Sequence, residues 1–409
     1  MVTVGSELLL GFTVDTNAAF IARELADSGV EISRRATVGD DANDIAAAVR
    51  QALERSDGVI TTGGLGPTAD DLTKPAVARA LGREMILDEA ILADLHRFWR
   101  ARGRYGELPE ANAQQAMLPA GAVALVNPHG TAPGVWLEDE HGRFVAMLPG
   151  VPREMREMLR SGVIPRLLAK ATGTVVRSRT IRTTGIAESE IPALLGDATE
   201  VGPLSLAYLP GTDGVDLRLT ARGVPADEAE ALLGAAAARL RERLAHRCYG
   251  EDTADLAAVV LALARARGLR IGVAESCTGG MLGARLTAIP GASDTFAGGV
   301  IAYDDAIKTA LLGVDPGALQ DDGAVSERVV VQMAAGVRAR LGVGIGIAVT
   351  GVAGPAGGTD EKPVGTVWVG VDTGDGTRAR LARFGGNREE IRQRSVQMAL
   401  EMVRRGLDA

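Results

Sequence analysis

A chain of 409 residues, 46% hydrophobic and 23% charged, has the composition of a soluble globular protein of roughly two to four domains. Its net charge of −8 argues against a nucleic-acid binder driven by phosphate neutralisation, although a few local donors can still hold a small anion. The two cysteines, Cys248 and Cys277, make no disulfide framework or Cys-rich zinc site; no signal peptide precedes the first strand and no apolar run has transmembrane length, so a cytoplasmic protein without a membrane partner is expected.

Val2-Thr3-Val4-Gly5 reads as a short strand, and because the chain opens inside it a few residues are expected upstream of Met1. Asp15-Thr16-Asn17 offers N-caps for a helix with Phe20, Ile21 and Leu25 on one face and Gly29 as its stop. Val30–Ser33 is predicted as the next strand, Asp44–Arg55 as a helix with Ile45, Val49 and Leu53 inward, and Gly58–Thr62 as an apolar strand. This alternation predicts an α/β domain with a parallel sheet covered on both faces. The third strand runs into Gly63-Gly64-Leu65-Gly66-Pro67-Thr68-Ala69-Asp70-Asp71. Glycines between a strand and a helix free backbone N–H groups for an anion, and the adjacent carboxylates make sense if a divalent metal bridges them to phosphate. The plainer alternative is a glycine turn followed by a helix N-cap.

The middle segment, residues 166–250, reads as a small α+β module. Arg177–Thr183 alternates like a strand, Glu188–Leu195 is a short helix, and Leu204–Pro210 and Val215–Ala221 pair through the turn Gly211-Thr212-Asp213-Gly214. Ala226–His246 is a long alanine-rich helix.

Residues 251–409 form a further α/β domain with a mixed sheet. A helix over Leu256–Gly268 precedes the apolar strand Leu269–Val273 and then Ala274-Glu275-Ser276-Cys277-Thr278-Gly279-Gly280, followed by a helix from Met281. A serine at such a turn sits beside the free N–H groups and the positive end of a helix, a good place for a nucleophile whose reaction creates an oxyanion. Phe296–Tyr303 is a strand that delivers Tyr303, with Lys308 five residues on; Ser326 caps a helix that Gly342 stops; Val343–Val349 leads into the glycine-rich run Thr350–Thr359. Val364–Val371 and Arg378–Phe384 pair, and Asn387–Arg404 closes as a helix. All four histidines, His96, His129, His141 and His246, lie earlier, so a Ser-His-Asp triad inside this domain is excluded and a Ser-Lys arrangement with tyrosine as relay remains. Cys277, intrinsically the better nucleophile, is a rival to Ser276, and a helix-capping serine with a solvated lysine is the plainer reading.

Ser276, Tyr303, Lys308 and the Thr350–Thr359 run, in that order, resemble the nicotinamide-nucleotide amidase domain at the C-terminus of the CinA family (competence/damage-inducible protein). Gly63–Asp71 resembles the signature of the molybdenum-cofactor-biosynthesis fold of MoaB/MogA type. Gly5–Gly11, Asp15–Asn17, Asn127–Gly134 and Leu148–Met155 match its variant at the N-terminus of CinA proteins, apart from Val151 where the family usually has proline. The counterpart of the middle module is KH-like; Gly211–Gly214 fits the GXXG string of KH modules, but an acidic loop clamps a phosphate backbone poorly, so a spacing or dimerising role is expected.

For the third domain the resemblance implies Ser276 as nucleophile, with Tyr303 and Lys308 as its activating partners; Asp305 stands where the family often has asparagine. Amides near Cys277, Thr278, Gly279 and Gly280 would hold the oxyanion. The loop with Gly351, Gly354, Gly357, Gly358 and Thr359 would hold the ribose-phosphate end, Thr350 or Thr359 adding a hydroxyl. No cofactor is expected there. For the first domain, residues 1–165, it implies a metal-dependent ADP-ribose pyrophosphatase. Asp70 and Asp71, with Glu7 and Asp40, would organise a divalent metal; Gly63, Gly64, Gly66 and Thr68 would hold phosphate; Asn127, Gly130 and Thr131 would complete the nucleotide pocket. The combined expectation is a homo-oligomeric, dimeric hydrolase of pyridine-nucleotide salvage, acting on nicotinamide mononucleotide and ADP-ribose. A molybdopterin-processing first domain and a non-catalytic nucleic-acid-binding or regulatory protein are the alternatives.

Overall fold

Alternating short apolar strands and amphipathic helices generate two α/β sheets in the computed structural model, which describes residues 1–101, 108–170 and 173–408. The chain divides into two compact units, one of Met1–Arg177 with Ala221–Glu230 and one of Ser178–Thr220 with residues 231 onward.

In the first unit a six-stranded sheet runs in the order Ala36–Val38, Val2–Val4, Gly58–Thr62, Phe144–Leu148, Gly134–Glu138, Val123–Leu125. The first three pairings are parallel and the last two antiparallel, so the all-parallel expectation holds for only part of the sheet. The sheet is doubly wound. Ile45, Val49 and Val77, from the helices Ala42–Leu53 and Thr73–Ala80, pack on one face against Val4, Val59 and Val145. Ile21, Leu25, Met155 and Met158, from Thr16–Asp27 and Pro152–Met158, pack on the other against Ile60, Ala146 and Leu148.

The strand expected at Val30–Ser33 is absent: those residues are irregular, and the edge strand begins at Ala36. The Val30 N–H closes the end of the preceding helix by donating to Leu25 O, and Val30 and Ile32 pack into the helix-covered core instead of pairing. Apolar alternation there reports burial beside a helix terminus, which sequence pattern alone does not separate from a strand.

In the second unit the hairpin of Ser205–Pro210 and Val215–Pro225 is antiparallel, from Ser205 opposite Thr220 to Pro210 opposite Val215. Its turn does not stand free. Gln397 Nε2 donates to Asp213 O at 2.6 Å and to Thr184 Oγ1 at 3.3 Å, so the Gly211–Gly214 string is tied to the long C-terminal helix Arg388–Asp408.

The five-stranded sheet of this unit has the order Phe296–Ile301, Ile271–Glu275, Ile345–Gly351, Thr366–Asp372, Thr377–Arg383. The first three strands are parallel and the remaining pairings antiparallel, which makes the sheet mixed. Helices Leu256–Ala266, Met281–Thr287 and Arg388–Asp408 cover one face around Val273, Ile347 and Val369. Asp305–Leu312, Pro316–Asp322 and Glu327–Leu341 cover the other around Ala274 and Ala348. Ser326 caps the last of these by accepting the Val329 N–H, and Gly342 ends it at φ 60°, a left-handed backbone that glycine adopts without cost.

Candidate functional site

Parallel pairing fixes where the loops of the second unit leave their sheet. Glu275 lies beside Ile301 on one side and Val349 on the other. The Ser276 turn, the Ala302–Asp304 turn and the loop after Gly351 therefore emerge at the same carboxyl edge, the usual place for a ligand in an open α/β sheet.

The Ser276 turn is built on its preceding residue. Glu275 is 1% exposed, and its carboxylate accepts the N–H groups of Gly280 (3.0 Å), Leu282 (3.0 Å) and Gly283 (2.8 Å). The Ser276 N–H donates to Val349 O, and the Gly279 N–H to Ser276 O. The amides of Gly279 and Gly280, expected to face an oxyanion, are thus committed within the protein. Those of Cys277 and Thr278 donate to no carbonyl or carboxylate among the described residues. The Thr278 hydroxyl is fully buried without a partner among the described residues.

Burial pushes the Cys277 thiol up to about 12, against the weaker pull of Arg388 and Arg392. It is therefore protonated across the physiological range, which favours Ser276 as the nucleophile. Lys308 is 1% exposed, so the solvated-lysine reading fails. Its Nζ donates to Asp305 Oδ1 at 2.9 Å and to Tyr303 O at 3.2 Å. Tyr303 itself is 61% exposed, and its hydroxyl accepts from Arg388 Nη2 at 3.3 Å. The Ser276 hydroxyl makes no hydrogen bond to Lys308 or Tyr303 among the described residues, so the three expected partners share an edge without forming a closed relay. Catalytic contacts are often incomplete before substrate arrives.

Two arginines one turn apart on the C-terminal helix complete this region and went unread in the sequence. Arg388 Nη1 donates to Gly354 O at 2.6 Å and Arg392 Nη2 to Thr278 O at 2.8 Å, so one helix face fastens the Ser276 turn, Tyr303 and the glycine loop. The i, i+4 spacing was the available signal. The loop itself is largely structural. Thr350 is fully buried and gives its hydroxyl to Ala324 O. The Thr359 hydroxyl accepts the Lys362 N–H. Gly351, Gly354 and Gly358 lie where an added Cβ would collide with residues 364–367, whereas Gly357 faces open space.

In the first unit, a cleft of about 410 Å³ is lined by Gly63, Gly64, Gly66, Asp70, Asp71, Glu7, Asp40 and Thr131, so most of the expected set converges there. Glu154 and Gln115, unread in the sequence, line it too, and no lysine or arginine does. Several groups already have tasks. The Gly63 N–H donates to Leu148 O. Asp71 Oδ2 accepts the Thr68 N–H and hydroxyl, at 2.8 and 2.6 Å. Asp40 accepts the Ser6 N–H.

Asn127 braces its own loop. Its Oδ1 accepts the N–H groups of His129 and Gly130, and its Nδ2 donates to Ala132 O and Glu154 Oε2. Thr68, Asn127 and Gly130 do not line the cleft. Lys74, just past the glycine turn, is 5% exposed, and burial pushes it down to about 8 while Asp71 pulls the other way. Among the described residues no three His, Cys, Asp or Glu side chains are grouped to hold a metal ion. No described helix is long and apolar enough to cross a membrane.

Three family models match the chain: a probable molybdopterin binding domain over residues 1–169, a damage-inducible protein CinA KH domain over 178–250, and a CinA C-terminal domain over 253–407. A CinA-like protein of Gemmatimonas aurantiaca is 58% identical over 409 residues, covering 99% of this chain and 95% of the relative. One from Salinibacter ruber is 42% identical over 409 residues, covering 100% and 98%. Among solved structures, the protein CinA with unknown function from Thermoplasma acidophilum is 39% identical, covers 41% of this chain and 95% of its own, and superposes with a TM-score of 0.38.

The Ser276 turn generates two predictions. Glu275→Gln removes the charge that three amides share and should lower unfolding free energy by about 2–3 kcal/mol in urea titration; an unchanged midpoint contradicts the account. In the folded chain at pH 8, iodoacetamide should leave Cys277 unmodified, and peptide mapping should find it labelled after denaturation. Labelling in the native state at the rate of a free thiol contradicts its burial.

Proposed function

The chain belongs to the CinA family, and on that basis we propose that it is a two-site hydrolase, deamidating nicotinamide mononucleotide in its third domain and cleaving ADP-ribose to AMP and ribose 5-phosphate in its first. The observation that carries the first half is a serine and a buried lysine at the same carboxyl edge of one sheet, in a domain without histidine.

In this reading Ser276 Oγ attacks the carboxamide carbon and its proton passes to Lys308 Nζ, through the Tyr303 hydroxyl if the substrate draws that ring inward. The oxyanion meets the uncommitted amides of Cys277 and Thr278. Lys308 returns the proton to the leaving nitrogen, the C–N bond breaks and ammonia departs, leaving an ester on Ser276. Water then loses a proton to Lys308 and attacks that ester, and Ser276 leaves with the proton as nicotinic acid mononucleotide forms. Arg388, at the mouth of the site, suits the substrate's phosphate.

The first-domain cleft presents carboxylates and no basic side chain, so a diphosphate would be repelled without a cation. Asp70 and Asp71, with Glu7 and Asp40, are the oxygen donors that would hold a divalent metal, although no three of the described carboxylates stand grouped for one. When bound, the metal neutralises the diphosphate and polarises its phosphorus centres. The chain's own part is to present the glycine turn and to keep Asp71 oriented through Thr68.

Ammonia release from nicotinamide mononucleotide should fall on the order of 10³-fold or more in Ser276→Ala and Lys308→Met, and persist in Cys277→Ala. Persistence in Ser276→Ala would remove the assignment. AMP formation from ADP-ribose should require an added divalent cation and drop in Asp71→Asn; pterin binding without such turnover would favour a molybdopterin-type first domain.

A further inference from the structure

Gln115 has no role in either half of the reading above. It sits in the short turn Gln114–Ala116, is 2% exposed, and yet lines the first-domain cleft with Gly64, Asp70, Asp71 and Thr131. Its Oε1 is buried and has no hydrogen-bond partner among the described residues. A buried acceptor left unpaired is costly, and native proteins rarely keep one unless something else supplies the donor.

The turn is also held firmly from behind. Lys74 Nζ donates to Gln115 O at 2.8 Å and to Gln114 O at 3.3 Å. Its neighbour Thr73 gives its hydroxyl to Gly63 O at 2.8 Å. The start of one helix therefore anchors both the glycine turn and the Gln115 turn, so Gln115 is fixed relative to the place where the diphosphate would lie.

We propose that Gln115 is a specificity-determining residue whose Oε1 accepts a hydrogen bond from a sugar hydroxyl next to the diphosphate, an assignment that rests on the ADP-ribose reading of this cleft. The donor has to come from the ligand side. At neutral pH a diphosphate offers acceptors only, whereas the sugar hydroxyls are donors within a few bonds of it. The exocyclic amine of the base is farther away along the molecule. Water on a metal ion could also donate, but removing one sugar hydroxyl leaves that water in place, so the analogues below separate the two sources.

The test uses the full chain with a divalent cation and follows AMP formation from ADP-ribose and from analogues lacking one sugar hydroxyl at a time. In the wild type, one analogue should lose about tenfold or more in kcat/KM, the scale of one unpaired buried acceptor. Gln115→Leu should be slow with the parent compound and should treat it and that analogue alike. Gln115→Glu keeps an acceptor and should keep the discrimination, which separates lost recognition from a disturbed fold. Equal rates for every analogue in the wild type, or an unchanged ratio in Gln115→Leu, would overturn the assignment while leaving ADP-ribose hydrolysis intact. No turnover or binding of ADP-ribose by the wild type would overturn both together.

Discussion

A buried carboxylate drawing in three backbone amides is the interaction on which the third domain's site depends. Glu275 ends a fully buried strand and turns its charge into the start of the next helix, where Gly280, Leu282 and Gly283 donate to it. An ion of that kind is tolerable in the interior only because each hydrogen bond is charge-assisted. The consequence is geometric. With the chain pinned before and after it, the Ser276 turn has little freedom, and the N–H groups that remain uncommitted are those nearest the serine. The same bonds take up the helix N-terminus, so in the proposed reaction the turn amides, rather than the helix end, are the donors left for an oxyanion.

The two α/β units use a shared device. In each, short acidic or amide side chains satisfy the turns that leave the sheet: Asp71 for Thr68, Asp40 for Ser6, Asn127 for Gly130, Glu275 for the helix at Met281. Rigid turns on a rigid sheet preorganise a site before ligand binds. The difference lies in the remaining charge. Arg388 and Arg392 stand over the Ser276 turn, whereas the first cleft is lined by carboxylates without a balancing cation. An anion would meet arginines at the former and carboxylates at the latter.

Much of this was legible in the sequence where local rules and the fold agree. The Ser326-to-Gly342 helix has its cap and its stop in the chain, and Gly58–Thr62 has the apolar run and glycine exit of a buried strand. The convergence of Asp70, Asp71, Glu7 and Asp40 on one cleft had only the family resemblance as its signal. What escaped depended on distance. The Thr350 hydroxyl is given to Ala324 O, 26 residues away in sequence, and the Asn127 side chain braces its own loop. Glu275 stood next to the serine, but a single carboxylate in a strand carries no pattern. The false strand at Val30–Ser33 shows the converse, apolar residues packed beside a helix end instead of paired.

The central claim is that Ser276, oriented by the Glu275 turn, is the atom that takes up the substrate. Rapid acid quench of the wild-type chain turning over nicotinamide mononucleotide, followed by peptide mass mapping, tests it most directly. The account predicts a nucleotide ester on the peptide containing Ser276, localised to that residue by fragmentation. An adduct on Cys277, or ammonia released in a burst with no adduct on the protein, would contradict it.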